Sequence, residues 1–93
     1  GHNSSSCSIA GGEIYKANKI PAITPASTNV DVTRNNEWYF RTIFNDNAQG
    51  RFLANYLKMI LKVNTVKIIH EDQAYGKNLT KVFESAAKEI GLN

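Results

Sequence analysis

The sequence predicts an α/β chain built from parallel sheet units, and three observations carry that prediction. Short β-branched or aromatic runs at Ile20–Thr24, Trp38–Ile43 and Val66–His70 read as strands. Around them, apolar residues recur at three- and four-residue spacing, the pattern of helices with one buried face. The two patterns alternate as helix, strand, long loop, strand, helix, strand, helix, which is how parallel strands joined by crossovers are written.

Each element has its own signal. Ser5 or Ser6 is a good N-cap for a first helix running to about Asn18, with Ile9, Ala10, Ile14 and Ala17 at helical spacing. Gly11-Gly12 inside it costs about 1 kcal/mol per glycine relative to alanine, which close packing against a neighbouring strand would offset. Ile20–Thr24 is a short buried strand, with Pro21 tolerable at its start and Pro25 closing it. Residues 25–37 have no apolar period and form a loop with one helical turn near Asp31–Arg34. A loop of 13 residues is long for a compact domain, and such loops are often functional.

Trp38–Ile43 follows as a strand, and Asp46 or Asn47 can cap the next helix. There Phe52, Leu53, Tyr56, Leu57, Ile60 and Leu61 form the stripe of a helix packed on a sheet, ending at Asn64. Val66–His70 is the third strand, and Glu71-Asp72-Gln73 leaves its carboxyl end. Tyr75-Gly76 leads into a last helix with Leu79, Val82, Phe83, Ala86 and Ile90 on one face, and Gly91 is placed as its C-terminal cap.

Bulk properties narrow the function classes. A chain of 93 residues, 42% hydrophobic and 20% charged, suits one small globular domain. No run of 18 apolar residues could span a membrane as a helix. The chain starts on GHNSSS, without Met, basic region or apolar signal core, and reads there as a fragment boundary. Cys7 is the only cysteine, which excludes an internal disulfide and a cysteine-based zinc site. Residues 1–46 carry four Lys/Arg against four Asp/Glu, and residues 47–93 carry seven against four, so the net +3 sits in the second half. It is spread over amphipathic helices with no basic block, and nucleic acid is not an expected partner.

The candidate chemistry lies in three turns. Ser4-Ser5-Ser6 opens a helix, where free N–H groups, the positive dipole end and flanking hydroxyls can hold a carboxylate or phosphate. The duller reading is one capping serine with solvated neighbours. The turn Thr24–Asn29 is rich in hydroxyls, yet it could simply hold its own backbone. Tyr75 either covers a strand end or presents its ring and hydroxyl to a ligand. In parallel sheets ligands sit beyond the carboxyl ends of strands, where Thr24–Asn29 and His70–Tyr75 both fall; the serine turn enters its helix from the same side.

Other chemistries lack support. His70, Glu71 and Asp72 are adjacent on a strand pattern and point to alternate faces, so their spacing makes no metal cluster. GxxxxGK[ST] is absent, which argues against a nucleotide, and so is the nucleophile elbow GxSxG. Cys7, on the first turns of a helix, is more readily a small packed residue than a reactive thiol.

Taken together, GHNSSSCSIAGGEIY, IPAITPASTN, YFRTIFNDNAQG and VKIIHEDQAYGKNL resemble the type I periplasmic solute-binding proteins, the leucine/isoleucine/valine-binding-protein group. They come in the family's order and nearly its spacing, and cover almost the whole chain. Val30 stands where a proline often follows the Thr-Asn pair, and Cys7 replaces a common small residue.

The resemblance implies Rossmann-like or flavodoxin-like parallel sheet units from a two-lobe fold. Residues 1–46 would be the end of lobe one with the first crossover, residues 47–93 the start of lobe two, and 42–47 the hinge. By the same resemblance, Ser5 matches the serine that binds a ligand's α-carboxylate with backbone N–H help nearby. Thr28 matches a threonine touching carboxylate and ammonium, and Ala26 a carbonyl accepting from the ammonium. Tyr75 matches a lobe-two tyrosine that descends on closure. With the adjoining Ser6 and Ser27 these make the candidate ligand-binding set; the acidic partner of the ammonium would lie beyond Asn93.

The implied function is an extracytoplasmic receptor for an amino-acid-like solute, feeding an ATP-driven importer of branched-chain amino acids. The alternatives are the sensing domain of a signalling receptor, or a small α/β hydrolase using Ser5. The last lacks a general base other than His2 or His70. No catalytic residue, cofactor or metal is expected. The expected partners are the small ligand and, through the full-length protein, a membrane permease or signalling partner. The expected location is the periplasm or the cell exterior, with a lipid anchor an option. The isolated 93-residue chain, with open sheet edges, is expected to self-associate.

Overall fold

The serine-led pattern forms a helix, α1, over Ser5–Ala17, in a computed structural model that describes all 93 residues. Gly12 lies where a Cβ would stand 3.2 Å from the Tyr39 ring and 3.2 Å from the Asn36 amide, so the glycine lets the helix pack closely on these two side chains. α1 ends with Lys19 at φ +54°. Ile20 N–H donates to the Tyr15 carbonyl at 2.8 Å and Lys19 N–H to Lys16 at 3.2 Å, the paired bonds of a Schellman ending.

Two strands follow, β1 at Ala22–Thr24 and β2 at Tyr39–Arg41, shorter than their apolar runs. They pair in parallel, Ala22 with Tyr39, Ile23 with Phe40 and Thr24 with Arg41. Alternation sends Ala22, Thr24 and Tyr39 inward, while Ile23 and Phe40, partners in register, share an open face. The connecting loop holds the expected single turn, a 3₁₀ turn at Val30–Val32 capped by Asn29. Arg41 fastens this loop to β2, its guanidinium donating to the carbonyls of Ser27 (3.3 Å) and Asn29 (2.9 Å). A small core of Ala22, Val32 and Tyr39, flanked by Ile9 and Tyr15, closes the unit.

The second unit is helical. Helix α2 spans Asp46–Asn55, with the Asn45 side chain accepting from Ala48 N–H, so the cap falls one residue before the first of the two expected positions. It runs into a π-helical turn at Tyr56–Ile60 and stops at Lys62, φ +54°, short of Asn64. Helix α3, Ala74–Glu89, packs along α2. Gly91 (φ +71°) ends it in a second Schellman motif: Leu92 N–H reaches the Ala87 carbonyl at 2.9 Å, and both residues enter the core. That core is Ala54, Phe83, Ala86, Ala87 and Leu92.

Further expectations change: Ser4 rather than Ser5 or Ser6 is the N-cap of α1, and Cys7 is exposed rather than packed. Val66–His70 is not a strand here: residues 62–71 join no sheet. Its one rung is with the last residue, Asn93, whose N–H donates to Asn64 and whose carbonyl accepts from Val66. A strand exists through a neighbour's ladder, and this segment makes only that single rung. Nor does α2 lay its large apolar stripe on a sheet. Gly50 and Ala54 are buried while Phe52, Tyr56, Ile60 and Leu61 stay exposed, because its partner in this chain is α3. The radius of gyration is 15.0 Å, against about 12 Å for a compact chain of this length. Two small units lie in tandem, one of helix and paired strands and one helical, with separate cores.

Candidate functional site

Three segments distant in sequence meet where the units join: the N-terminus of α1, the loop after β1, and the approach to α3. Together Asn3, Ser4, Ser5, Ala26, Glu71 and Tyr75 line a cleft of about 370 Å³. Of the six residues singled out from sequence, Ser5, Ala26 and Tyr75 line it and Ser6, Ser27 and Thr28 do not.

The helix end supplies polarity of one sign. Ser4 is the extended N-cap of α1, but its side chain makes no capping bond and instead lies 3.0 Å from the Ser6 hydroxyl. No acidic residue occupies the first turn, so the positive end of a 13-residue helix is left without side-chain compensation. Ser5 is 3% exposed, and its oxygen accepts from the Asn29 N–H at 3.3 Å. That bond uses a lone pair and leaves the hydroxyl proton free to donate.

The loop after β1 is held by its own hydroxyls. Thr24 Oγ1 accepts from the N–H groups of Ala26 (3.3 Å) and Ser27 (3.0 Å) and donates to the His2 carbonyl (2.9 Å). Ser27 is fully buried, its hydroxyl 2.6 Å from Ser8 Oγ and 3.0 Å from the carbonyls of both His2 and Asn3. Its side chain pins the segment before α1 against the loop. Thr28 is also buried; its carbonyl accepts from Asp46 N–H at 2.8 Å, while its hydroxyl has no partner. Leaving such a group unpaired costs about 1–3 kcal/mol.

The opposite wall comes from the second unit. Tyr75 stands in the first turn of α3 with its hydroxyl 3.4 Å from the Gln49 amide, which donates to it. Glu71 is among the lining residues, a role its position in a run of three polar residues did not announce. Gly76 allows this: a Cβ there would stand 2.7 Å from the Glu71 carbonyl oxygen. Nearby, the exposed Asp72 lies 2.7 Å from Lys77 Nζ, and the bond and charge of that lysine hold its carboxyl below the ordinary value of 3.8.

The histidines are engaged elsewhere. The His2 ring bonds the Tyr15 hydroxyl at 3.0 Å, and His70 Nδ1 lies 2.8 Å from the Glu71 carbonyl. Chemically, the cleft offers helix-end donors and a serine hydroxyl on one side, and a carboxylate and a phenol on the other.

The profile of the family described as "receptor family ligand binding region" matches residues 1–93. An amino acid binding protein of Pseudomonas aeruginosa is 36% identical over 93 residues, covering 99% of this chain and 25% of its own length. The leucine-specific-binding protein of Salmonella typhimurium is 32% identical over 94 residues, covering 100% and 26%. Among solved structures, a leucine binding protein from Thermotoga maritima superposes with a TM-score of 0.95 at 33% identity, over 98% of this chain and 26% of the other. An ABC transporter substrate-binding protein from Desulfitobacterium hafniense, in complex with Leu, gives 0.88 at 33% identity, over 100% and 28%. The chain thus spans about a quarter of the length of the relatives it matches.

Proposed function

The chain belongs to the receptor family ligand-binding region, among the type I, leucine/isoleucine/valine-binding-protein-like solute receptors, and from that membership we propose that its cleft binds a small amino acid. The observation that carries the reading is the meeting of Ser5, Ala26 and Tyr75 around one 370 Å³ cleft, from segments far apart in sequence. An amino acid is a zwitterion and needs donors at one end and acceptors at the other. The α1 terminus and the Ser5 hydroxyl suit the carboxylate. The Ala26 carbonyl and Glu71 suit the ammonium, with Tyr75 covering the ligand from the second unit; Thr28, behind the lining with its hydroxyl unpaired, joins them by the family resemblance. Buried, each charge-assisted bond is worth roughly 1.5–3 kcal/mol.

In this reading residues 1–46 belong to lobe one and its crossover, residues 47–93 to lobe two, and 42–47 is the hinge. The two separate cores support that division. Closure is driven by contacts that exist only when both walls touch the ligand, and no covalent chemistry is involved. The relatives' names support a branched-chain amino acid as the ligand and an ABC-type importer as the partner, and with them a location of the full-length protein outside the cytoplasm.

Calorimetry on the full-length protein with leucine tests this. Ser5→Ala and Thr28→Ala should each weaken binding by about tenfold or more. Unchanged affinity in both would defeat the site assignment.

A further inference from the structure

Beside the turn bond that its carbonyl accepts from Val32 N–H (3.2 Å), Asn29 is held by four bonds that leave it no freedom to turn. Its N–H donates to Ser5 Oγ (3.3 Å), and its carbonyl accepts from Arg41 (2.9 Å). Its side-chain oxygen accepts from Asp31 N–H (2.8 Å), capping the 3₁₀ turn. With the oxygen so committed, the amide nitrogen must face the other way, and it donates to the Ala74 carbonyl at 3.0 Å, 45 positions on. The first three bonds lie within the first unit, and the fourth alone crosses to α3. Asn29 is 3% exposed, so water competes little for that bond.

Ala74 is the residue before Tyr75, and Ser5 is the residue that Asn29 touches through its backbone. We propose that Asn29 is a positioning residue, an interlobe latch that fixes where the Tyr75 wall stands relative to the Ser5 wall. This deepens the amino-acid-binding reading and rests on it for the ligand, but the latch itself is a property of the two units. A rigid amide joining them raises the fraction of molecules in the binding-competent arrangement. Apparent affinity scales with that fraction even for a residue that never touches the ligand.

Asn29→Asp isolates the effect. It keeps the shape and the oxygen that caps the turn, but sets a carboxylate oxygen against the Ala74 carbonyl, where no donor remains. The experiment uses the full-length protein with one spin label in each lobe, measuring interlobe distances without ligand, and leucine affinity by calorimetry. The expected result is a distance distribution displaced or broadened by Asn29→Asp, with leucine binding weakened roughly 3- to 20-fold. Asn29→Ala should displace the distances likewise and also lower the melting temperature, because it removes the cap.

Ligand-free distances unchanged in both variants would overturn the latch, whatever happens to affinity; weaker binding with unmoved lobes would make Asn29 a cleft residue instead. If leucine fails to bind the unsubstituted protein, the ligand reading falls, while the distances still decide the latch.

Discussion

Asp46 and Asn78 meet side chain to side chain: the Asn78 amide donates at 2.7 Å to Oδ2 of a carboxyl group that is wholly buried and whose Oδ1 has no partner. The same Asp46 gives its N–H to the Thr28 carbonyl. One residue therefore links the loop after β1 to α3, at the start of α2. Hydrogen bonds to charged groups are worth about 1.5–3 kcal/mol. Asn78→Ala should destabilise the full-length protein by about that much, read from urea midpoints, and Asn78→Asp by more, since it sets a second carboxyl against the first. A loss below about 0.5 kcal/mol for both would show that the bond contributes little.

The two Schellman endings predict opposite signs. Gly91 occupies the left-handed region at no steric cost, whereas Lys19 holds the same region with a Cβ. Gly91→Ala should destabilise by about 1–2 kcal/mol, and Lys19→Gly should stabilise by up to about 1 kcal/mol. Paired thermal melts of the two variants check this; shifts of the same sign would refute it.

Gly50 lies where α2 crosses α3, and a Cβ there would stand 2.7 Å from Val82 Cγ1 and 3.0 Å from the Phe83 backbone nitrogen. Alanine would gain about 1 kcal/mol in helix propensity, but backbone cannot retreat as a side chain does, and overpacking costs about 1–3 kcal/mol. Gly50→Ala is therefore expected to be neutral to destabilising, and Gly50→Val clearly destabilising. Denaturant titration of both should show that order.

Asp72 titrates below 3.8 because of Lys77, with a smaller contribution from His70. A lowered carboxyl value stabilises the fold above the unfolded value, and the contribution disappears as pH falls through the lowered one. Carbon-detected NMR titration should give Asp72 a midpoint under 3.8 that climbs towards it in Lys77→Ala. High salt should have the same effect, since both partners are exposed to solvent.

Ile23 and Phe40, 55% and 52% exposed, stand side by side on the open face of the two-stranded sheet. An apolar face beside unpaired strand edges favours association. The isolated 93-residue chain should sediment as dimers or larger species at high micromolar concentration, and Phe40→Glu should shift it towards monomer. A clean monomer without the substitution would contradict this.

Local chemistry made much of the fold legible from sequence. The spacing in α1 and α3, the serine-rich start, Gly91 as a stop and the short strands flanking Thr24 and Phe40 all depend on residues within a turn or two of each other. Gly12 was readable as a packing position for the same reason, since a glycine inside a helical pattern needs a neighbour to explain it. The hydroxyl-rich turns could likewise be named as candidates for one site.

What sequence could not assign was the use of each hydroxyl and carboxyl, because those partners lie 24 to 45 positions away. Ser27 and Thr28 are neighbours of similar chemistry, yet the first is consumed pinning His2 and Asn3 while the second keeps an unpaired hydroxyl. Glu71 lines the cleft where Gly76 lets its backbone pass close. Val66–His70 has the composition of a strand, but strand formation is a property of a pair, and the partner is a matter of tertiary structure. By itself, sequence determined the periodic elements, the Gly91 stop and the family, while the N-caps of α1 and α2 each fell a residue before the expected place. Tertiary structure alone decided which polar groups were spent on the fold and which were left to face the cleft, because a hydrogen bond is set by where two chain segments meet in space.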